Sequence, residues 1–132
     1  RPDEPRVFST YVRDFTLVAQ EQVLRDGEET GVCLVLFLRA LPGRRLQARD
    51  LAGAPAAPWS AATRLVWNEV AGERPAGYEY DAIVEAWYES VDAVAAAFAG
   101  PPVWQWLPAA LADAVDTARS VCMSTRITHR RP

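Results

Sequence analysis

The stretch YDAIVEAWYESVDAVAAAF, residues 80–98, predicts a strand followed directly by a helix. Successive side chains of a strand point to opposite faces, and residues 80–88 divide into two different sets with that period. One set is Asp81, Ile83, Glu85 and Trp87; the other is Tyr80, Ala82, Val84, Ala86 and Tyr88. Ser90 is a typical helix N-cap, and apolar residues then recur at helical spacing up to Phe98. Gly100 and Pro101 end the predicted helix.

The segments on either side supply further predicted strands. Residues 32–40, VCLVLFLRA, are apolar on both parities, which is typical of a strand buried on both faces. Residues 63–72, TRLVWNEVAG, alternate as a strand and lead into a turn over 72–77. Between these strands only a helical turn near residues 46–51 is predicted, because Gly53, Pro55 and Pro58 exclude a long helix. Residues 103–107 form a predicted irregular segment before a helix that Pro108 opens, and residues 119–129 form a last strand.

The region before residue 32 contains one predicted strand. Residues 1–6 are predicted to be an irregular lead-in, residues 12–24 a strand, and residues 25–31 a loop. We therefore divide the chain into residues 1–31, an N-terminal extra strand and loop, and residues 32–132, the domain proper.

From residue 32 onward the order is strand, weak helix, strand, strand, helix, strand, which is that of the split βαβ, ferredoxin-like unit. The predicted fold class is α+β, with one antiparallel sheet and helices on one of its faces. Because Val32–Leu38 is apolar on both sides, the other face must also be covered. A second copy of the sheet is the simplest cover, and the pair would form a dimeric α/β barrel.

The stretch YDAIVEAWYESVDAVAAAFAGP (80–101) and the final strand DTARSVCMSTRITH (116–129) resemble EthD-like proteins of the dimeric α/β-barrel superfamily. The resemblance covers about residues 32–129. It implies a homodimer through the sheet, or the equivalent pairing of tandem repeats. It also implies a small-molecule substrate, often aromatic or polycyclic, in a pocket between sheet and helices, and no cofactor. Where family members carry a histidine–glycine–proline-type motif, this chain has AGAPAAPW, residues 52–59.

The predicted N-terminal strand is similar in pattern to a segment near the other end of the chain. DFTLVAQEQVL, which starts at residue 14, is similar in pattern to ARSVCMSTRIT, which starts at residue 118. The spacing is close to one EthD-like unit. The chain could therefore begin in the last strand of a preceding repeat, or the segment could be an extra edge strand. In both interpretations residues 12–24 are predicted to pair with a sheet edge.

Three polar residues are candidates for catalysis. A carboxylate buried in an apolar pocket can act as acid or base near neutral pH, and Glu85 lies in the middle of its strand. Arg64 and Asn68 share a parity on the preceding strand, and together they could stabilise negative charge on a substrate oxygen. The alternative for Glu85 is a structural ion pair with an arginine (Arg39, Arg64 or Arg126). The alternative for Arg64 and Asn68 is that they are polar surface residues of an edge strand.

Five aromatic residues are candidates for the walls of a substrate pocket. Tryptophan and tyrosine offer flat apolar surfaces with a polar group, which suits flat ligands. The candidates are Trp67, Tyr88, Phe98, Trp104 and Trp106. The alternative is that these rings fill the core or a dimer interface.

Composition excludes several classes of function. The net charge of −3 gives no basic surface for nucleic acid, and no apolar run is long enough to cross a membrane. A single histidine and the lack of a C-x-x-C motif argue against a metal site, and Cys33 and Cys122 are expected to be reduced core cysteines of a cytoplasmic protein. All 14 basic residues are arginine, which together with abundant alanine suggests a high-GC genome such as that of an actinobacterium.

The resemblance to EthD-like proteins, taken with these candidate residues, implies a cofactor-independent enzyme that acts on a polyketide-type metabolite by cyclisation, isomerisation or dehydration in bacterial secondary metabolism. The alternatives are a cofactor-free monooxygenase of the same superfamily and a non-catalytic small-molecule binding protein.

Overall fold

The computed structural model describes residues 5–10, 15–29, 31–52, 57–72, 74, 76–100 and 102–126. Six strands are present within these ranges: β1 (Pro5–Thr10), β2 (Phe15–Arg25), β3 (Val32–Leu38), β4 (Arg64–Ala71), β5 (Ala82–Tyr88) and β6 (Val121–Arg126). The helices are α1 (Arg49–Ala52), α2 (Ala57–Ser60), α3 (Val91–Ala97) and α4 (Ala109–Ala112), with a 3-10 helix at Val103–Trp106.

The strands form one antiparallel sheet in the order β1-β2-β4-β5-β3-β6. The predicted α+β class is thereby confirmed. Of the four strands from residue 32 onward, β3 and β5 lie in the middle, with β6 beside β3 and β4 beside β5. This arrangement is compatible with a ferredoxin-like fold.

Strand β2, which corresponds to the predicted N-terminal strand, joins this sheet at the edge formed by β4. β2 pairs antiparallel with β4 from Val18↔Ala71 to Arg25↔Leu65, which confirms the predicted pairing with a sheet edge. Arg25 fastens the contact, because its Nη1 donates to the carbonyl oxygens of Trp59 at 2.8 Å and Ala62 at 2.9 Å. The predicted residues 12–14 of this strand lie outside the described ranges. The lead-in predicted over residues 1–6 was wrong in its last two residues, which belong to β1.

The helices are shorter than the sequence pattern indicates. α1 begins at Arg49 instead of near Leu46, and the segment before Pro108 is a 3-10 helix. α4 ends at Ala112, and Val115 instead forms a β-bridge with Ala40. The predicted cap of α3 is confirmed, since Ser90 Oγ accepts a hydrogen bond from the backbone N–H of Ala93 at 3.1 Å.

All helices lie on one side of the sheet, which we call the helix side. Its core contains alternate residues of the central strands together with buried residues of the helices and the segments next to them. The largest of these buried side chains are Leu36, Leu38, Leu51, Trp59, Trp67, Tyr88 and Leu111. The prediction of helices on one face is confirmed.

The other face of the sheet, which we call the second side, is also buried. Every residue of β5 is buried, and in β3 only Val35 is partly exposed. Phe37, Val70 and Ile83 form a separate apolar cluster there, against which Tyr78 and Tyr80 pack. Water is thus excluded from both sides of the central strands within a single chain, as the apolar pattern of β3 predicts.

Candidate functional site

The three predicted catalytic residues lie together on the second side of the sheet. β4 and β5 pair with Val66 opposite Glu85, Arg64 opposite Trp87 and Asn68 opposite Ile83. Residues two apart on a strand share a face and are separated by about 7 Å. Glu85 therefore occupies the middle position, with Arg64 and Asn68 diagonal to it on the neighbouring strand.

Asn68 and Glu85 are the buried polar residues of this region. Asn68 is fully buried and Glu85 is 5% exposed, which agrees with the prediction that Glu85 is enclosed. The Asn68 side-chain nitrogen Nδ2 donates to the carbonyl oxygen of Ile83 at 3.0 Å. Its Oδ1 has no hydrogen-bond partner among the residues that the structure describes, and the same is true of Trp87 Nε1 on this side. On the helix side, Trp67 Nε1 is likewise without a hydrogen-bond partner in the described part of the chain. Leaving such atoms unpaired costs free energy in a folded protein, so they call for an explanation.

Arg64 forms two ion pairs with the loop that precedes β3. Its Nη1 lies 2.7 Å from Asp26 Oδ1, and its Nε lies 3.4 Å from Glu29 Oε2. Arg64 therefore fastens the loop between β2 and β3. The loop passes so close to Thr63 that a Cβ atom on Gly27 would lie 1.8 Å from the Thr63 carbonyl oxygen. Arg39, another suggested partner of Glu85, pairs with Glu79 at 3.4 Å.

The predicted aromatic residues lie on the helix side. Trp67 and Tyr88 are fully buried in its core, and Phe98, Trp104 and Trp106 are half-buried against it. The ring of Phe98 meets the ring of Tyr88 edge to face, with centroids 6.1 Å apart.

Hydrogen bonds hold this aromatic cluster in place. The Tyr88 hydroxyl donates to the Pro58 carbonyl oxygen, and Trp59 Nε1 donates to the carbonyl oxygen of Trp106 at 2.8 Å. Burial raises the pKa of Tyr88 far above its ordinary value, so this hydroxyl remains a donor. Trp67 and Tyr88 therefore belong to the packed core, and Phe98, Trp104 and Trp106 lie against it.

The structure does not bring the two predicted groups together. The polar residues and the aromatic residues lie on opposite sides of one sheet, as the alternation along a strand requires. The resemblance implied a pocket between sheet and helices, but Trp59, Trp67 and Tyr88 fill that region in the described part of the chain.

Other aromatic residues of the second side were not among the predicted site residues. Trp87 is on the same face as Glu85, and Tyr78 and Tyr80 cover the apolar cluster nearby. Tyr80 packs on Phe37 with ring centroids 5.4 Å apart, and burial raises the pKa of its hydroxyl. The sequence contained the signal for Trp87, because it shares the parity of Glu85.

The described residues contain no group of three or more histidine, cysteine, aspartate or glutamate side chains that could hold a metal ion. They also contain no helix long and apolar enough to cross a bilayer. Cys33 and Cys122 are free thiols, and burial raises the pKa of Cys122 to about 11.

Comparison with known proteins adds no relative, since no protein-family model, curated protein or solved structure matches the chain. The EthD-like assignment therefore remains a hypothesis drawn from the residues quoted above.

Proposed function

We propose that this chain is a cofactor-independent enzyme that acts on a flat, ring-bearing metabolite of the polyketide type, at the second side of its sheet. The observation that carries this proposal is the pair of unsatisfied polar atoms that flank Glu85. Asn68 Oδ1 is a buried acceptor and Trp87 Nε1 a buried donor, and neither has a partner among the described residues. A ligand with a hydroxyl and a carbonyl would satisfy both.

The proposed chemistry is the transfer of a proton next to a carbonyl group. Glu85 takes a proton from the substrate carbon, and the electron pair of the broken C–H bond moves onto the carbonyl oxygen. The N–H of Trp87 donates to that oxygen, which is the position where negative charge develops. Return of the proton to another carbon completes an isomerisation, and loss of a hydroxyl group as water completes a dehydration.

Asn68 has a modified role in this scheme. Because its Nδ2 already donates to Ile83, the free group is the acceptor Oδ1, which would orient a substrate hydroxyl. Arg64 holds the loop of Asp26 and Glu29 and acts as a positioning residue.

The test is incubation of the purified protein with a set of polycyclic hydroxyketones, followed by mass spectrometry of the products. We expect a product of unchanged mass or one that has lost water, and a strong loss of turnover in Glu85→Gln. Glu89→Gln is the matched control, because Glu89 follows the same strand but is exposed. Turnover of Glu85→Gln at the wild-type rate would exclude Glu85 as the proton carrier.

The same experiment separates the alternatives. A product that has gained one oxygen atom identifies a cofactor-free monooxygenase. Binding without conversion identifies a non-catalytic binding protein. Trp59, Trp67 and Tyr88 fill the region of the pocket that the resemblance implies, so each of these alternatives, like the main proposal, places the ligand on the second side.

We also propose that the chain pairs with a second copy through the sheet. β6 is the outer strand beyond β3 in the described sheet, and it exposes Val121 and Met123 (39% and 42%). Large apolar side chains on an outer strand are typical of a contact surface. Sedimentation velocity should show a dimer that Met123→Glu dissociates; a wild-type monomer would exclude the pairing. The free thiols fit the predicted cytoplasmic location.

A further inference from the structure

A polar groove lies at the end of β4 that contains Glu69 and Val70, and its lining does not include the residues of the proposed site. Two adjoining cavities of about 120 and 360 Å³ share Arg45, Leu46 and Glu69 in their linings. The segment that follows β3 forms one wall, and the ends of β2 and β4 form the other. We call this the arginine groove; the residues that characterise it are Gln22, Arg44, Arg45, Gln47, Arg49 and Glu69.

The arginine groove is lined by arginines that have no hydrogen-bond or ion-pair partner among the described residues. Among the arginines whose side chains the structure describes, five make hydrogen bonds or ion pairs: Arg25, Arg39, Arg64, Arg74 and Arg119. Within the same described part, Arg44, Arg45 and Arg49 have neither, and all three line the groove. Uncompensated charge is thus concentrated at one place in a chain of net charge −3.

Few carboxylates oppose this charge. Glu69 is exposed at the groove and makes no ion pair within the described residues. Asp81 also lines the smaller cavity, but Arg74 lies 3.7 Å from one of its oxygens and the N–H of Ala40 donates to the other at 2.8 Å. Three unpaired guanidinium groups therefore face one unpaired carboxylate.

The segment that presents these arginines is fixed to the fold. Leu46 lies between the arginines and is buried in the helix-side core, and Leu51 of α1 anchors the segment again one turn later. Gly43, with φ of +77°, forms the preceding turn, which the N–H of Arg44 closes on the carbonyl oxygen of Leu41 at 2.9 Å. A fixed backbone lowers the entropic cost of ligand binding.

We propose that the arginine groove binds a small anion through phosphate or carboxylate groups. Guanidinium groups match the geometry of both anions with paired N–H donors, and the side-chain amides of Gln22 and Gln47 add neutral contacts. The larger cavity has the volume of a small-molecule site. Because Glu69 and Asn68 are neighbours on β4 with opposite orientations, the larger cavity and the proposed catalytic site lie on different sides of the sheet.

The test is calorimetric titration with pyrophosphate and, separately, with citrate, at constant ionic strength. We expect saturable binding of at least one anion, and at least about a tenfold loss of affinity in Arg45→Gln/Arg49→Gln. Arg119→Gln is the matched control, since Arg119 is an exposed arginine that does not line either cavity, and it should bind like the wild type. Circular dichroism checks that each variant is folded.

The two anions identify the chemistry of the ligand. Preference for pyrophosphate indicates a phosphorylated ligand, and preference for citrate indicates a polycarboxylate. Absence of saturable binding to either anion, or equal affinity in the folded double variant, would overturn the proposal. Neither outcome depends on whether Glu85 is catalytic.

Discussion

Trp67 and Asn68 are neighbours on β4, but their side chains enter two different environments. Trp67 lies on the helix side among apolar residues, and Asn68 lies on the second side near Glu85. Both are almost completely buried. Burial alone therefore does not distinguish a core from a candidate site. The distinction is the buried carboxylate: the second side retains Glu85 and an unsatisfied amide oxygen where apolar residues would be more stable, whereas the helix-side core adds only the unpaired indole N–H of Trp67 to the unsatisfied groups found in the described residues.

The largest expected effect tests the helix side. Trp67→Ala should lower the free energy of unfolding by about 3–5 kcal/mol, because it leaves a large cavity in a packed core. Urea denaturation followed by circular dichroism measures this loss. Trp104→Ala, at a half-buried position, should cost less. Equal losses for the two variants would contradict the packing described for Trp67.

A smaller effect is expected at the hydrogen bond that closes the same core. Tyr88→Phe should cost about 1–3 kcal/mol, because the carbonyl oxygen of Pro58 loses its donor. The raised pKa of Tyr88 adds a pH dependence. The folded protein holds this proton above pH 10.0, the ordinary pKa of tyrosine, while the unfolded chain releases it.

Stability should therefore fall as the pH rises above about 10 in the wild type, and it should fall less steeply in Tyr88→Phe. Thermal unfolding at a series of alkaline pH values compares the two proteins. Identical slopes would show that Tyr88 does not contribute to alkaline unfolding.

The smallest change in stability is expected on the second side. Asn68→Leu should alter the free energy of unfolding by less than about 1 kcal/mol, because the lost hydrogen bond is offset by removal of an unpaired buried oxygen. Ligand binding at the proposed site should nevertheless be lost. Urea denaturation and a binding titration on the same sample measure both properties. A loss of stability as large as that of Trp67→Ala would make Asn68 a structural residue.

The sequence predicted the sheet better than the site. Strands β3, β4 and β5 follow from short apolar or alternating segments, and the shared parity of Arg64 and Asn68 places both on one face. The same parity rule placed Trp67 and Tyr88 on the face of the sheet opposite to Glu85. Only the structure showed that the helices cover that face and enclose both rings in a core. Parity relates residues within a strand; it does not show which face the helices cover.

Other features depended on contacts that sequence patterns do not encode. The pairing of Arg64 with Asp26 and Glu29 joins segments far apart in the chain, and no local spacing predicts it. β1 was missed because proline and charged residues near the N-terminus are typical of irregular structure. The arginine groove had a visible signal in the doublet Arg44–Arg45, but its lack of partners required the structure.

The bonds from Arg25 to the carbonyl oxygens of Trp59 and Ala62 have a consequence for synthesis on the ribosome. β2 can complete its pairing with β4 only after residue 71 has emerged, 46 residues after Arg25 at the end of β2. In the meantime the nascent chain carries a strand with an open hydrogen-bonding edge, which is a template for wrong association. A chaperone that shields this edge of β2 until β4 has emerged should therefore limit wrong association.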